Sequence, residues 1–393
     1  MHDPPIPAWY ADAHPVLRLE QPPVPAVPEL LRHDHARVFC PPNHWPEYRW
    51  FLHKSWQSVH LEKSGIHIEI NDQVAQNPRD TDCLHGAELF NAINAEAVLA
   101  IGGGSAIDTA KTIALLAKSG GTPSDYADGH LPYRQIAPIL CVPTTAGTGS
   151  EVTRSAVITE SSTHRKMTLK HENMRPVLAV LDPQLTVSVQ ASVTAATGVD
   201  ALVHAIEGYT CTVTSPLSKA YGAEAMRTIV PALPLAVEDG KNLRARTKML
   251  EGSLLAGLSF GNADVASVHC LAEALGSVYD TPHGVANAIF LPHVLRFNAD
   301  GHVPLHATLA RLMRFASDTD SDERAMKKLI TGIFSFTRLL GIPLLSELPR
   351  ISQEDFGRLV DLAYENGSTP SNVRSITKQE YRMILEETYA YNG

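Results

Sequence analysis

Through the first half of the chain, short apolar runs alternate with segments whose apolar residues recur every three or four positions. ARVFC (36–40), IHIEI (66–70), EAVLAIGGGS (96–105), IAPILCVPTT (136–145) and RPVLAVLDP (175–183) are β-rich or continuously apolar, and they predict strands. Residues 46–59, 84–95 and 105–118 carry helical spacing. In the last, Ala106, Ile107, Ala110, Ile113 and Ala114 recur at that spacing. Such alternation predicts a parallel sheet with helices on both faces. After Pro183 the texture changes. From about Thr186 onward long helical patterns dominate, as in 215–233, 247–260, 322–340 and 378–391. The prolines of PPIPAW and QPPVPAVPEL cannot continue a helix or supply a ladder donor. The expected division is an irregular arm over 1–30, an α/β nucleotide-binding domain over 31–184 and an all-helical, metal-binding domain over 185–393. No internal repeat is visible.

Length supports two domains, since 393 residues exceed one ordinary core. A formal net charge of −9 argues against nucleic acid as a partner. No apolar run of membrane-spanning length occurs, and the N-terminus lacks the basic start and apolar core of a signal peptide. Five widely spaced cysteines without a C-x-x-C pair suit reduced thiols. A cytoplasmic homodimer is the expected state.

Three segments bear on chemistry. Gly102, Gly103 and Gly104 separate a strand from a helix opening near Ser105. That is either a tight turn or a place where a pyrophosphate meets free N–H groups and the positive end of a helix dipole. Asp108 and Lys111, on the next turn, read either as a solvated pair or, for Asp108, as a group that reaches a ligand. The second segment, PTTAGTGSEVT (143–153), crowds Thr144, Thr145, Thr148 and Ser150 after a strand. It suits hydrogen bonding to a phosphate or amide, or a helix start with Glu151 in its first turn. The third, GVDALVHAIEGYT (198–210), places Asp200 and His204 one helical turn apart in an otherwise apolar helix. His269, in a later apolar run, and His283, in a Pro-His-Gly turn, complete a candidate set. One carboxylate and three imidazoles suit Fe(II) or Zn(II) rather than the oxygen-seeking Ca(II) or Mg(II).

IGGGSAIDTAK, PTTAGTGSEVT, TGVDALVHAIEGYT and TPHGVANAIFLPHVLRFN together resemble the signature segments of the iron-containing (group III) alcohol dehydrogenase family, in order and approximate spacing, across about residues 36–390. The resemblance implies the dehydroquinate synthase-like fold: an α/β dinucleotide-binding domain, an all-α domain and a metal in the cleft between them. It implies metal ligation by Asp200, His204, His269 and His283 and a pyrophosphate loop at Gly102, Gly103, Gly104 and Ser105. Thr144, Thr145 and Leu185 resemble positions lining the adenine and nicotinamide sites, and Asp108 and Lys166 match further polar positions beside the cofactor. The implied activity is hydride transfer between NAD(H) or NADP(H) and a small alcohol or aldehyde, with Fe(II) or Zn(II) as Lewis acid.

The chain departs from the family pattern in three places. Many members carry a second histidine four residues after the third ligand; here Glu273 stands there. It either serves as the catalytic acid/base, or changes the proton route, or impairs the enzyme. After the first strand, where NAD-preferring members often have an aspartate, the chain reads VFCPPNHW, which removes a repulsion against a 2′-phosphate. The C-terminal Asn-Pro-Arg becomes Asn372-Val373-Arg374. Arg154, Lys170, His171, Arg175 and Arg374 read either as solvated surface charges or as positive charge near the cleft that favours an anionic substrate, such as a phosphonate- or carboxylate-bearing aldehyde. The alternatives are a lyase of the dehydroquinate-synthase type and a catalytically silent metal- and nucleotide-binding homologue.

Overall fold

The computed structural model of the chain describes residues 16–18, 37–40, 67–72, 74–75 and 77–393. The helix expected over 46–59, the residues after the first predicted strand and most of the expected N-terminal arm lie outside the described residues. Two compact units emerge: Met1–Thr144 with Ser150–Asp182, and Thr145–Gly149 with Pro183–Gly393.

The first unit is built on a six-stranded sheet in the order β1-β8-β5-β4-β2-β3, every pairing parallel. Its strands are β1 (Val16–Arg18), β2 (Arg37–Cys40), β3 (His67–Ile70), β4 (Ala97–Gly102), β5 (Ile139–Pro143) and β8 (Leu178–Leu181). β1 falls within the stretch expected to be irregular and pairs along the edge of β8. β4 is buried along its whole length, as expected for a parallel strand covered on both faces. Helix α1 (Asp80–Ala92) precedes it, and α2 (Gly104–Ser119) follows after a sharp turn. In α2, Ile107, Ala110, Ile113 and Ala114 share a cluster with Val98, Ala100, Ile139 and Cys141. Leu115 and Leu116 join a second cluster with Ala156, Ile158, Met167 and Leu169. A short helix α3 (Pro123–Ala127), opened by a capping box between Thr122 and Asp125, contributes Tyr126 to that second cluster.

Ala156, Ile158, Met167 and Leu169 belong to an antiparallel hairpin, β6 (Ser155–Thr159) and β7 (Lys166–Lys170), which the hydrophobic pattern did not predict. β7 buries only alternate residues and β6 buries Ala156, Ile158 and Thr159, so neither strand has an apolar run long enough to stand out.

The second unit is helical, with no named strand among its described residues. It comprises α4 (Ala191–Thr210), α5 (Pro216–Glu238), α6 (Leu243–Gly261), α7 (Ser267–Tyr279), α8 (His283–Ala299), α9 (Val303–Leu312), α10 (Asp322–Leu339), α11 (Phe356–Glu365) and α12 (Lys378–Ala390). Helices α4, α5 and α6 pack mutually, α8 packs on α4, and α7 packs on α8. Close approach depends on missing side chains. A Cβ at Gly222 would lie 2.8 Å from the carbonyl oxygen of Ala205, and one at Gly208 would lie 2.5 Å from Ser259 Oγ. Asp280 ends α7 in the left-handed conformation, with φ 56°, which turns the chain toward the start of α8 at His283.

Candidate metal centre and nucleotide loop

α4 is buried on almost every face, and its sequence explains why: the apolar residues around Asp200 and His204 leave no polar side. Asp200 and His204 are 1% and 4% exposed, so neither is a surface pair. His269, from the first turn of α7, is equally buried. His283, the first residue of α8, is 39% exposed at its side chain and opens the cluster on one side. One donor atom from each of the four lies within 4.8 Å of every other. His204 Nε2 and His269 Nε2 are 3.0 Å apart. Asp200 Oδ1 lies 3.9 Å from His269 Nε2 and 3.7 Å from His283 Nε2.

Surrounding groups set the protonation of this cluster. Burial pushes His204 down to about 3, against the pull of Asp200. Burial would raise Asp200, yet the three imidazoles and an Asn287 amide donor outweigh it and hold the carboxyl below its usual range. Burial would lower His269, but Glu207, Asp200 and Glu273 reverse the balance and raise it. His269 Nδ1 is 2.6 Å from Glu207 Oε2. A carboxylate has no proton to give, so Nδ1 carries one, and in the neutral ring Nε2 then keeps its lone pair on the side of His204. Three imidazole nitrogens and a carboxylate oxygen, each within 4.8 Å of the others, make a donor set that fits Fe(II) or Zn(II).

Further groups brace the cluster. Asn287, one turn after His283, donates from Nδ2 to Asp200 Oδ1 at 2.7 Å. Phe260 stacks on the His204 ring with centroids 4.2 Å apart. Sequence reasoning missed Glu207, Asn287 and Phe260. Glu207 was recoverable in principle, being three residues after His204 on the same helical face. His293 stands apart. It is buried beside the rings of Phe334 and Tyr391, where burial lowers it to about 4.

Glu273 lies one helical turn beyond His269 and is half-buried. Its Oε2 accepts from Asn366 Nδ2.

In the first unit, Gly102 ends β4, and Gly103 precedes α2 without a side-chain cap, so the opening N–H groups of α2 and Ser105 have no side-chain acceptor at the cap position. β2 connects outward to β3 while β4 lies on its other side, so this loop sits where the strand order reverses. Thr144 N donates to Gly102 O at 2.9 Å, tying the second predicted loop to the first. Thr145 begins the segment Thr145–Gly149, which belongs to the second unit, and Leu185 lies in a 3-10 turn of that unit.

Asp108 and Lys111 are not a solvated pair. Lys111 is fully buried and donates to Ser150 Oγ at 2.8 Å, Thr153 Oγ1 at 3.1 Å and Ser155 O at 2.8 Å. Asp108 accepts from Ser150 Oγ at 2.6 Å and Val157 N at 2.9 Å. Both residues anchor the 3-10 turn Ser150–Val152 and the hairpin to α2. Lys166 Nζ donates to Thr159 Oγ1 across the hairpin at 2.8 Å.

The cations singled out for an anionic substrate are partly engaged. Arg154 and Arg175 both pair with Glu172, and Arg374 pairs with Asp300 and Glu380. His171 stacks on Tyr133.

Comparison with known proteins bears on this arrangement. Residues 49–183 match the family described as iron-containing alcohol dehydrogenase, and residues 194–389 match the C-terminal part of the Fe-containing alcohol dehydrogenase family. The chain is 35% identical over 340 residues to the NAD-dependent methanol dehydrogenase of Bacillus methanolicus, covering 86% of this chain and 89% of that protein. A crystal structure of 1,3-propanediol oxidoreductase superposes with a TM-score of 0.85 at 35% identity, covering 92% of this chain and 93% of the other. Sulfoacetaldehyde reductase from Bifidobacterium kashiwanohense, solved with NAD+, gives a TM-score of 0.78 at 27% identity over 91% of this chain and 92% of its own.

Proposed function

Because the chain belongs to the iron-containing alcohol dehydrogenase family, we propose that it interconverts a small alcohol and its aldehyde with NAD(H) or NADP(H), using a divalent metal held by Asp200, His204, His269 and His283. The single observation that carries this reading is the convergence of those four donors. When bound, the metal, Fe(II) or Zn(II), supplies Lewis acidity to the substrate oxygen, and the nicotinamide takes up or returns hydride.

The chain's own residues supply binding, orientation and proton handling. Asp200 contributes the negative charge of the donor set, and Asn287 holds its carboxylate in place. Gly102, Gly103, Gly104 and Ser105 offer backbone amides to a pyrophosphate. Thr144, Thr145, Lys166 and Leu185 are proposed to contact the cofactor, whereas Asp108 contributes by holding the turn beside that loop. Glu273 is the proposed acid/base: it stands one turn from His269 with its carboxylate fixed by Asn366.

The finer reading of an anionic aldehyde draws support from the sulfoacetaldehyde reductase neighbour. Against it, Arg154, Arg175 and Arg374 are paired with acids, and His171 Nδ1 accepts from Asn173 N, which leaves Lys170 as its cation. We therefore place uncharged short aldehydes first. The absence of an acid after β2 in the sequence supports acceptance of NADPH alongside NADH. A cytoplasmic homodimer is proposed; the four described cysteines are free and buried, which accords with reducing surroundings. Among the described residues no helix is long and apolar enough to cross a membrane.

The test is direct. Purified protein is mixed with Fe(II) or Zn(II), NADH or NADPH and a panel of short neutral and anionic aldehydes, and the loss of nicotinamide absorbance is followed. Metal-dependent turnover of at least one aldehyde is expected. A protein that binds metal and cofactor yet turns over none would instead be the silent homologue.

A further inference from the structure

Helix α7 begins without a cap of its own. Its N-cap residue is Ala266, whose methyl group accepts no hydrogen bond. The first N–H groups of a helix need acceptors from elsewhere. Glu207, reaching over from α4, supplies two: Oε2 accepts from Ala266 N and Oε1 from Val268 N, each at 2.8 Å. Asn372 Oδ1 takes the amide between them, Ser267 N, at 3.4 Å. The same Glu207 Oε2 meets His269 Nδ1 at 2.6 Å. Glu207 is 3% exposed, so water does not compete for these contacts. It follows Asp200 by seven residues and His204 by three, which sets it on their face of α4.

We propose that Glu207 is a positioning residue of the metal centre, holding the start of α7 and the Nδ1 proton of His269 at once. This fixes both the height of the imidazole and the tautomer whose Nε2 is free to bind metal. The proposal rests on the reading that the four donors hold a divalent ion. A carboxylate serves both tasks because all its lone pairs accept. A glutamine does not, since its amide nitrogen must face either a backbone N–H or the imidazole and sets a donor against a donor or reverses the tautomer. Asn372 provides the contrast. It caps the same helix start and bonds Asn298 Oδ1, but no hydrogen bond joins it to His269.

The experiment titrates Co(II) into the metal-free full-length protein and follows the cobalt visible spectrum, for the wild type, Glu207→Gln, Glu207→Asp and Asn372→Ala. Thermal unfolding and the imidazole 15N signals of the metal-free proteins are recorded beside it. Glu207→Gln is expected to weaken cobalt affinity by about 10–100-fold, and Asn372→Ala to lower Tm while leaving affinity within about threefold. The His269 signals should report Nδ1–H in the wild type and shift toward Nε2–H in Glu207→Gln. Should Glu207→Gln fail to fold, the wild-type tautomer and the affinity of Glu207→Asp decide: Nδ1–H with weakened cobalt binding supports the proposal, and Nε2–H in the wild type overturns it. A wild type that binds no cobalt defeats the metal reading itself. A wild type that binds, with Glu207→Gln equal to it or Asn372→Ala as impaired as Glu207→Gln, defeats only the role of Glu207.

Discussion

Asn366 donates its side-chain N–H to Glu273 Oε2 at 2.7 Å, and its own Oδ1 accepts from Ser368 N at 3.0 Å, which settles the orientation of the amide. The carboxylate that stands where many family members have histidine is thus held, not loose. Glu273→Gln is expected to keep its metal and its substrate KM while kcat falls by about 10²–10⁴-fold, the usual contribution of a positioned acid or base. Steady-state kinetics with metal content measured on the same samples decide. Unchanged kcat at unchanged occupancy would remove Glu273 from the proton route.

The proposed cofactor choice rests on the sequence after β2, where VFCPPNHW carries no acid to hold a ribose diol or repel a 2′-phosphate. NADPH should support turnover at least as well as NADH. A kcat/KM more than about tenfold in favour of NADH, or ~1.4 kcal/mol, would count against this account.

Glu151 gives the first unit a pH signature. Burial pushes its carboxyl up to about 7, although its own backbone N–H and the Lys111 ammonium pull the other way. The folded protein therefore holds this proton more tightly than the unfolded chain. The stability it contributes is complete below the unfolded value of 4.5 and is lost as pH rises through about 7. Glu151→Gln should remove that slope and stabilise the protein at pH 8 by on the order of 1–3 kcal/mol, because each tenfold difference in proton affinity between folded and unfolded chain is worth about 1.4 kcal/mol. Denaturant unfolding at pH 5 and pH 8 measures it; a parallel slope in both proteins would contradict it.

At Gly222 a methyl group would meet the Ala205 carbonyl oxygen at 2.8 Å and Ser259 Oγ at 2.9 Å, where three helices of the second unit cross. Gly222→Ala should cost about 1–3 kcal/mol, the usual cost of overpacking. The gain in helix propensity, at most ~1 kcal/mol, offsets only part of that. A higher Tm in the variant would show that the helices separate freely.

Much of this was legible because strand and helix periodicities are local. The alternation around Gly102 and the Asp200–His204 spacing can be seen in one short window. The hairpin was not, because its strands are only five residues long: β6 has an apolar run of three, Ala156 to Ile158, and β7 is apolar only at Met167 and Leu169. Lys111 was misread for the opposite reason. A lysine three residues after an aspartate on a helix normally faces water, and the hydroxyls of Ser150 and Thr153 with the Ser155 carbonyl, all distant in sequence, make its burial tolerable. Glu207 went unread because its three partners lie around 60 residues away. The Asn372-Val373-Arg374 stretch acquires meaning only in three dimensions, where Asn372 caps α7 and Arg374 Nη1 donates to Phe297 O at the end of α8.

Asp200, His204, His269 and His283 are proposed to act as one metal centre, and metal stoichiometry is the direct measure of it. Wild type, His269→Ala and His283→Ala are loaded with Fe(II) or Zn(II), freed of excess and assayed by mass spectrometry, with circular dichroism to establish folding. About one ion per chain is expected in the wild type, the number a single four-donor site holds, with near-complete loss in both folded variants. Undiminished metal in both variants would contradict it.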